Sequence, residues 1–175
     1  SPYQTNYDLG ISTIPATANW ILRKTSTTIN PIMTTANMYY PNFIMENVSG
    51  VAYNANTVGA NFVAASPCIV KGNLFINALS ALNNITAYDS IYSNSLTIQG
   101  NTIINQNGTL VMRGDSLHFQ GDLTVNGTLN YSGTLQRKIF FTGSNSQIVQ
   151  NAAGTISIYN CEIRKGANDV TVNKD

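Results

Sequence analysis

Apolar residues along this chain come in short runs, and Gly, Asn or Asp closes most of them. Within the runs apolar and polar positions alternate, as at Leu96 and Ile98 and again at Leu123 and Val125. Period two with one apolar face is the pattern of a half-buried strand. The clearest stretch is 99–133, QGNTIINQNGTLVMRGDSLHFQGDLTVNGTLNYSG, in which two phrases return. Gln99-Gly100-Asn101-Thr102-Ile103-Ile104 recurs as Gln120-Gly121-Asp122-Leu123-Thr124-Val125, an offset of 121 − 100 = 21. Asn107-Gly108-Thr109-Leu110 recurs as Asn126-Gly127-Thr128-Leu129, an offset of 127 − 108 = 19. Self-similarity at a period of about twenty is the mark of stacked coils.

Read in order, residues 1–19 show no period and carry prolines, which predicts an extended or irregular segment. Trp20-Ile21-Leu22-Arg23 is the first predicted strand, and Trp20 is placed to cap an open end of the core. Pro31 to Met38 is read as a short helical turn. Phe43 to Asn47 is a strand, and Val51 to Ser66 a long excursion; residues 20–67 are thus expected to form capping coils. Residues 68–175 are expected to be the coil proper, opening on Ile69-Val70-Lys71-Gly72-Asn73-Leu74-Phe75-Ile76. The offset from Gly72 to Gly100 is longer, and the excess is assigned to a loop within Asn77 to Asp89. Further strands are expected at Ser95–Ile98, Lys138–Phe141, Gln147–Val149, Gly154–Tyr159, Glu162–Arg164 and Asp169–Val172.

These signals predict an all-β fold, a right-handed parallel β-helix with an irregular N-terminal cap. Strands this short are not stable as isolated hairpins. Stacked, they would bury one continuous apolar column and pair with the coils on either side. Gly and Asn suit the corners because they tolerate positive φ, and aligned Asn side chains can ladder from coil to coil. The alternative is an antiparallel β-sandwich in which Asn107-Gly108 and Asn126-Gly127 are hairpin turns. A hairpin needs a turn signal but no returning phrase, so the repeat favours the helix.

Composition narrows the function. Charged residues are 10 % of the chain, and the net charge is +1. The basic pairs Arg23-Lys24, Arg137-Lys138 and Arg164-Lys165 lie far apart in sequence. A nucleic-acid surface needs clustered cations, so none is expected. With 43 % hydrophobic residues the chain is not of disordered type. Cys68 and Cys161 lack metal-ligand or redox spacing and read as small buried apolar residues. No stretch reads as a signal peptide or membrane span. The abrupt start at Ser1 and finish at Asp175 read as those of a fragment of something longer.

The stretch NMYYPNFIMEN, Asn37 to Asn47, followed by the KGNLFI and NGTL phrases, resembles the β-helical portions of large secreted surface proteins of Bacteroidota. Those are typically substrates of the type IX secretion system and include adhesins of gliding bacteria. The resemblance implies an extracellular or cell-surface location and, as partners, the remainder of a longer chain, surface polysaccharide or the secretion machinery. It also implies O-glycan acceptors of Asp-Ser-apolar form at Ser90 and Ser116. That family's C-terminal sorting domain has no counterpart in this sequence.

No catalytic motif, cofactor site or metal site is read from the residues. Asp89, Asp115 and Asp122 are the acids of the repeat region; Asp122 fills the slot of Asn73 and Asn101, a corner role. His118, between Leu117 and Phe119, is expected to point outward. Arg113-Gly114-Asp115 is an integrin-type tripeptide in a turn. Sequons stand at Asn47, Asn84, Asn107, Asn126 and Asn130. Tyr39, Tyr40, Tyr53, Tyr88 and Tyr92 fall in or beside loops, where they stack on sugar rings or pack under the loops. The expected role is a non-enzymatic stalk or adhesin module contacting carbohydrate. The alternatives are a carbohydrate-active enzyme of lyase or hydrolase type on the same fold, and a phage or viral fibre component.

Overall fold

A computed structural model of the 175-residue chain describes residues 15–24, 32–33, 39–47, 61–62, 68–78, 85–89, 95–112, 114–131, 138–166 and 168–174. Every strand pairing is parallel, and each strand pairs with those three before and three after it in the chain. This is a β-solenoid, and the antiparallel sandwich is excluded. One sheet holds β1 (Asn19–Lys24), β4 (Asn42–Asn47), β7 (Leu74–Ala78), β10 (Thr102–Ile104), β13 (Leu123–Val125), β16 (Gln147–Asn151) and β19 (Val170–Lys174). A second holds β2 (Ile32–Met33), β5 (Asn61–Phe62), β8 (Ile85–Asp89), β11 (Gly108–Met112), β14 (Thr128–Tyr131) and β17 (Thr155–Ser157). The third holds β3 (Tyr39–Tyr40), β6 (Cys68–Val70), β9 (Ser95–Ile98), β12 (Ser116–Phe119), β15 (Lys138–Phe141) and β18 (Asn160–Ile163).

The core is a set of inward columns running along the axis. Leu96, Leu117 and Ile139 stand in register in the third sheet, beside Ile98, Phe119 and Phe141. All six are buried. Phe119 and Phe141 stack with ring centroids 5.7 Å apart. At the N-terminal end Trp20 meets Tyr40 edge-on at 5.5 Å, and Tyr40 stacks on Phe43 at 4.8 Å. Burying side chains of this size contributes about 1.5–3 kcal/mol each, and stacking them on like residues costs no polar group.

One corner of the coil is held by a ladder of side-chain oxygens. The backbone N–H of Asn73 donates to Asn42 Oδ1 at 2.7 Å, that of Asn101 to Asn73 Oδ1 at 2.7 Å, and that of Asp122 to Asn101 Oδ1 at 2.9 Å. The N–H of Ile148 then donates to Asp122 Oδ1 at 2.8 Å. At each rung the side chain of one coil satisfies a corner amide of the next, which strand pairing leaves unmatched. Asp122 is therefore a corner acceptor, as its slot in the repeat predicts. The residue before each rung sits against the preceding coil: a Cβ on Gly121 would lie 2.4 Å from Gly100 O and 2.6 Å from Asn101 Oδ1.

A second corner explains why the two phrases recur at different offsets. Between β10 and β11 the turn is Asn105-Gln106-Asn107, with Asn107 at φ 62°. Between β13 and β14 it is Asn126-Gly127 alone, and both of these N–H groups donate to Ile104 O, at 2.8 and 3.1 Å. Gly127 fits because its α-carbon faces Gly108 O and Asn105 O, which a Cβ would meet at 2.2 and 2.4 Å.

Some expectations change. Ile32–Met33 is a strand, where a helical turn was expected; the rest of 31–38 lies outside the described residues, as do 79–84 and most of 51–66. Cys68 and Cys161 stand in the same register column, at rungs separated by Leu96, Leu117 and Ile139. That is four strand spacings, about 19 Å, whereas bridged cysteines need Cα atoms within about 7 Å. Cys161 is free and exposed, not buried, because it belongs to the last described coil.

Three substitutions test the corner and the core. Gly121→Ala should cost about 3 kcal/mol or more, the upper end for overpacking against backbone. Asn101→Ala, which strips one acceptor at an exposed corner, should cost about 0.5–1.5 kcal/mol; urea titration of the two variants should give that order. Thr102 is fully buried in an inward column between Leu74 and Leu123, and its Oγ1 meets no partner among the described residues. Thr102→Val should therefore raise the urea midpoint, by about 1 kcal/mol in stability, since it removes an unsatisfied buried hydroxyl at equal volume.

Candidate functional site

The outward positions of the third sheet also form columns. Thr97, His118, Phe140 and Glu162 make one, and Ser95, Ser116, Lys138 and Asn160 make the other. Alternation puts them on the face opposite Leu117 and Ile139. Coil stacking thereby joins one member of each of two basic pairs that are distant in sequence, Lys138 and Arg164. Lys138 Nζ lies 3.0 Å from Glu162 Oε2, and Arg164 Nε lies 2.5 Å from Glu162 Oε1.

An aromatic stack fixes this cluster. His118 lies on Phe140 with centroids 4.6 Å apart and planes at 27°, and Arg164 Cζ stands 4.3 Å from the Phe140 centroid. Phe140 points outward yet is only 7 % exposed, being layered between imidazole and guanidinium. Arg164 is thus held on one face by a cation–π contact and on its Nε edge by a carboxylate. Its side chain is still 55 % exposed, and that of Lys138 44 %. Lys165 turns away: its Nζ donates to Gln147 Oε1 at 2.7 Å and to Asn145 O.

The electrostatics agree with the geometry. Hydrogen bonds from Arg164 and then Lys138 hold the Glu162 carboxyl below its usual value. Burial, with the charge of Arg164 added to it, pushes His118 below the usual imidazole value. His118 Nε2 also lies 3.2 Å from Ser116 Oγ. His118 points outward, as expected, but as a half-buried member of a stack. A neutral imidazole beside two cations and one carboxylate can bind and orient; no second carboxylate converges here to share acid–base work with Glu162 among the described contacts.

Of the expected ligand-contact tyrosines, Tyr39, Tyr40, Tyr53, Tyr88 and Tyr92, the described side chain is that of Tyr40. Tyr40 is fully buried in the core, so it is not a surface contact: its side chain alternates inward and stacks on Phe43. Tyr39 and Tyr88 stand in β3 and β8, but their side chains, and all of Tyr53 and Tyr92, lie outside the described residues. Ser116 is on the outer face beside His118; Ser90 and Arg113 lie outside the described residues. Asp115 is exposed at the bend before β12. Asn47 is fully buried, which takes its sequon out of reach of modification. Among the described residues no group of His, Cys, Asp and Glu could hold a metal ion, and no helix is long and apolar enough to cross a membrane. A shallow open groove lined by Asn105, Gln106, Asn126 and Ala153 lies at the second corner and carries no charge.

The His118–Phe140–Arg164 stack was not found from sequence. Its members sit on three successive strands or just beyond them, and only the coil register aligns them. The one available signal was that Lys138 and Glu162 are each the alternate, outward residue of an apolar run.

The stack has a measurable signature. By NMR His118 should titrate below the ordinary imidazole range, and Arg164→Ala should move it upward while burial keeps it from returning fully. The sign for stability follows. A depressed His118 binds fewer protons folded than unfolded, so stability should fall as pH drops through the unfolded value near 6.5. Glu162, also depressed, adds stability that is present above its unfolded value of 4.5 and lost as pH falls through its folded one. Thermal melts between pH 7 and 4 should show the first loss reduced in His118→Gln.

No family model, curated protein or solved structure matches the chain.

Proposed function

We propose that this chain is a non-catalytic, axially repeating module of a long secreted or cell-surface protein, stalk-like or adhesin-like, whose outer faces contact carbohydrate. The observation that carries the reading is the unbroken parallel register of all three sheets along one axis. A closed coil of this kind lengthens by about 4.8 Å per added rung without changing its cross-section, which suits reach and display. The outward columns repeat hydroxyl, amide and charged groups at that same spacing, a surface matched to an extended polymer. Export by the type IX route rests on the resemblance carried by the Asn37–Asn47 stretch and the KGNLFI and NGTL phrases that follow it.

Location is the direct test. Antibody raised against this chain should label intact cells of the source organism, and brief protease treatment of those cells should remove the label. Labelling that appears only after the cells are opened would overturn the proposal.

A further inference from the structure

We infer that the outer face of the third sheet around Arg164 and Lys138 is a subsite for an acidic sugar, one carrying a carboxylate or sulfate group in a polysaccharide chain; this rests on the carbohydrate-contact reading above. Charge is the first argument. Two exposed cations flank a single carboxylate, Glu162, so the cluster has an excess of positive charge with His118 neutral. Glu162 engages the Nε edge of Arg164, which leaves the terminal amino groups of the guanidinium, on a half-exposed side chain, to meet an anion.

Preorganisation is the second argument. A long cationic side chain normally loses rotamer freedom on binding. Arg164 has already lost it, because Phe140 holds one face of the guanidinium and Glu162 holds one edge. Phe140 itself is too covered to be a sugar platform and acts as a positioning residue beneath Arg164.

The surroundings are the third. The column beside the stack offers Ser95, Ser116 and Asn160, small hydroxyl and amide groups of the kind that meet sugar hydroxyls. It runs along the axis at one residue per coil, about 4.8 Å, so an extended chain lying on it meets successive side chains. A nucleic acid would need a much broader run of cations than this face provides.

The test is titration calorimetry of the chain with oligogalacturonate, its fully methyl-esterified form, a panel of neutral oligosaccharides and a single-stranded oligonucleotide. The acid form should bind, with the His118 ring resonances shifting on addition, and the ester about tenfold or more weaker. Arg164→Gln and Lys138→Gln should each weaken the acid form by about tenfold, and Arg164→Lys should restore only part of it. Melting curves matching the parent would show the variants folded. Equal binding of acid and ester, or unchanged binding in both glutamine variants, overturns the subsite. Binding of neutral sugars untouched by the variants overturns the subsite but keeps the carbohydrate reading. Silence on every sugar overturns both. Equal affinity for the oligonucleotide reduces the site to general polyanion adsorption and also overturns it.

Discussion

At each corner of a coil the backbone leaves the sheet, and an N–H that strand pairing would have satisfied loses its partner. Orphaned amides at rung after rung would be too costly for a chain of modest stability. At one corner the Asn42–Asn73–Asn101–Asp122 ladder answers this by lending one amide of each next coil a side-chain oxygen, while at the second corner a backbone carbonyl, Ile104 O, does the same for Asn126 and Gly127. Because the acceptor belongs to the neighbouring coil, the ladder also fixes which residue lies over which. A slip of one position would turn every inward column outward.

The same constraint shows where the chain tolerates extra residues. Successive ladder partners are 31, 28, 21 and 26 residues apart, yet the corner itself is unchanged. Insertions fall between the strands that follow. Where the glycine before the rung gives way to Gln147, the longer side chain is buried and its Nε2 donates to Phe119 O at 3.0 Å and Gly121 O at 2.6 Å. A side-chain amide there serves carbonyls of the coil beneath, so the stack continues through a departure from its own repeat.

The outer surface inherits this register. His118, Phe140, Arg164 and Glu162 are neighbours only because β12, β15 and β18 are held level. In a fold with so few charges, placing Lys138 and Arg164 on either side of one carboxylate gives the third sheet a local electrostatic character that the whole chain lacks. The cation–π and ring-stacking contacts then convert a flexible arginine into an ordered group.

The sequence by itself determined the coil. Period two at Leu96–Ile98 and Leu123–Val125, glycine before the rungs at Asn73, Asn101 and Asp122, and the returning QGN/QGD and NGT phrases are local features, and strand alternation and corner sterics act locally. It also determined the role of Asp122, because a corner acceptor is defined by its slot. Unequal offsets of 21 and 19 were visible, but their origin in the short Asn126-Gly127 corner needed the hydrogen bonds to Ile104 O. The strand at Ile32–Met33 was hidden, since two residues carry too little periodicity to outweigh a Thr- and Asn-rich neighbourhood that contains Pro31. Only the tertiary structure decided that Tyr40 is core, that Cys68 and Cys161 share a register column without meeting, and that Lys138 and Arg164, from two distant basic pairs, converge on Glu162. Each of those depends on the number of residues between coils, which varies from rung to rung, so no single sequence period could place them.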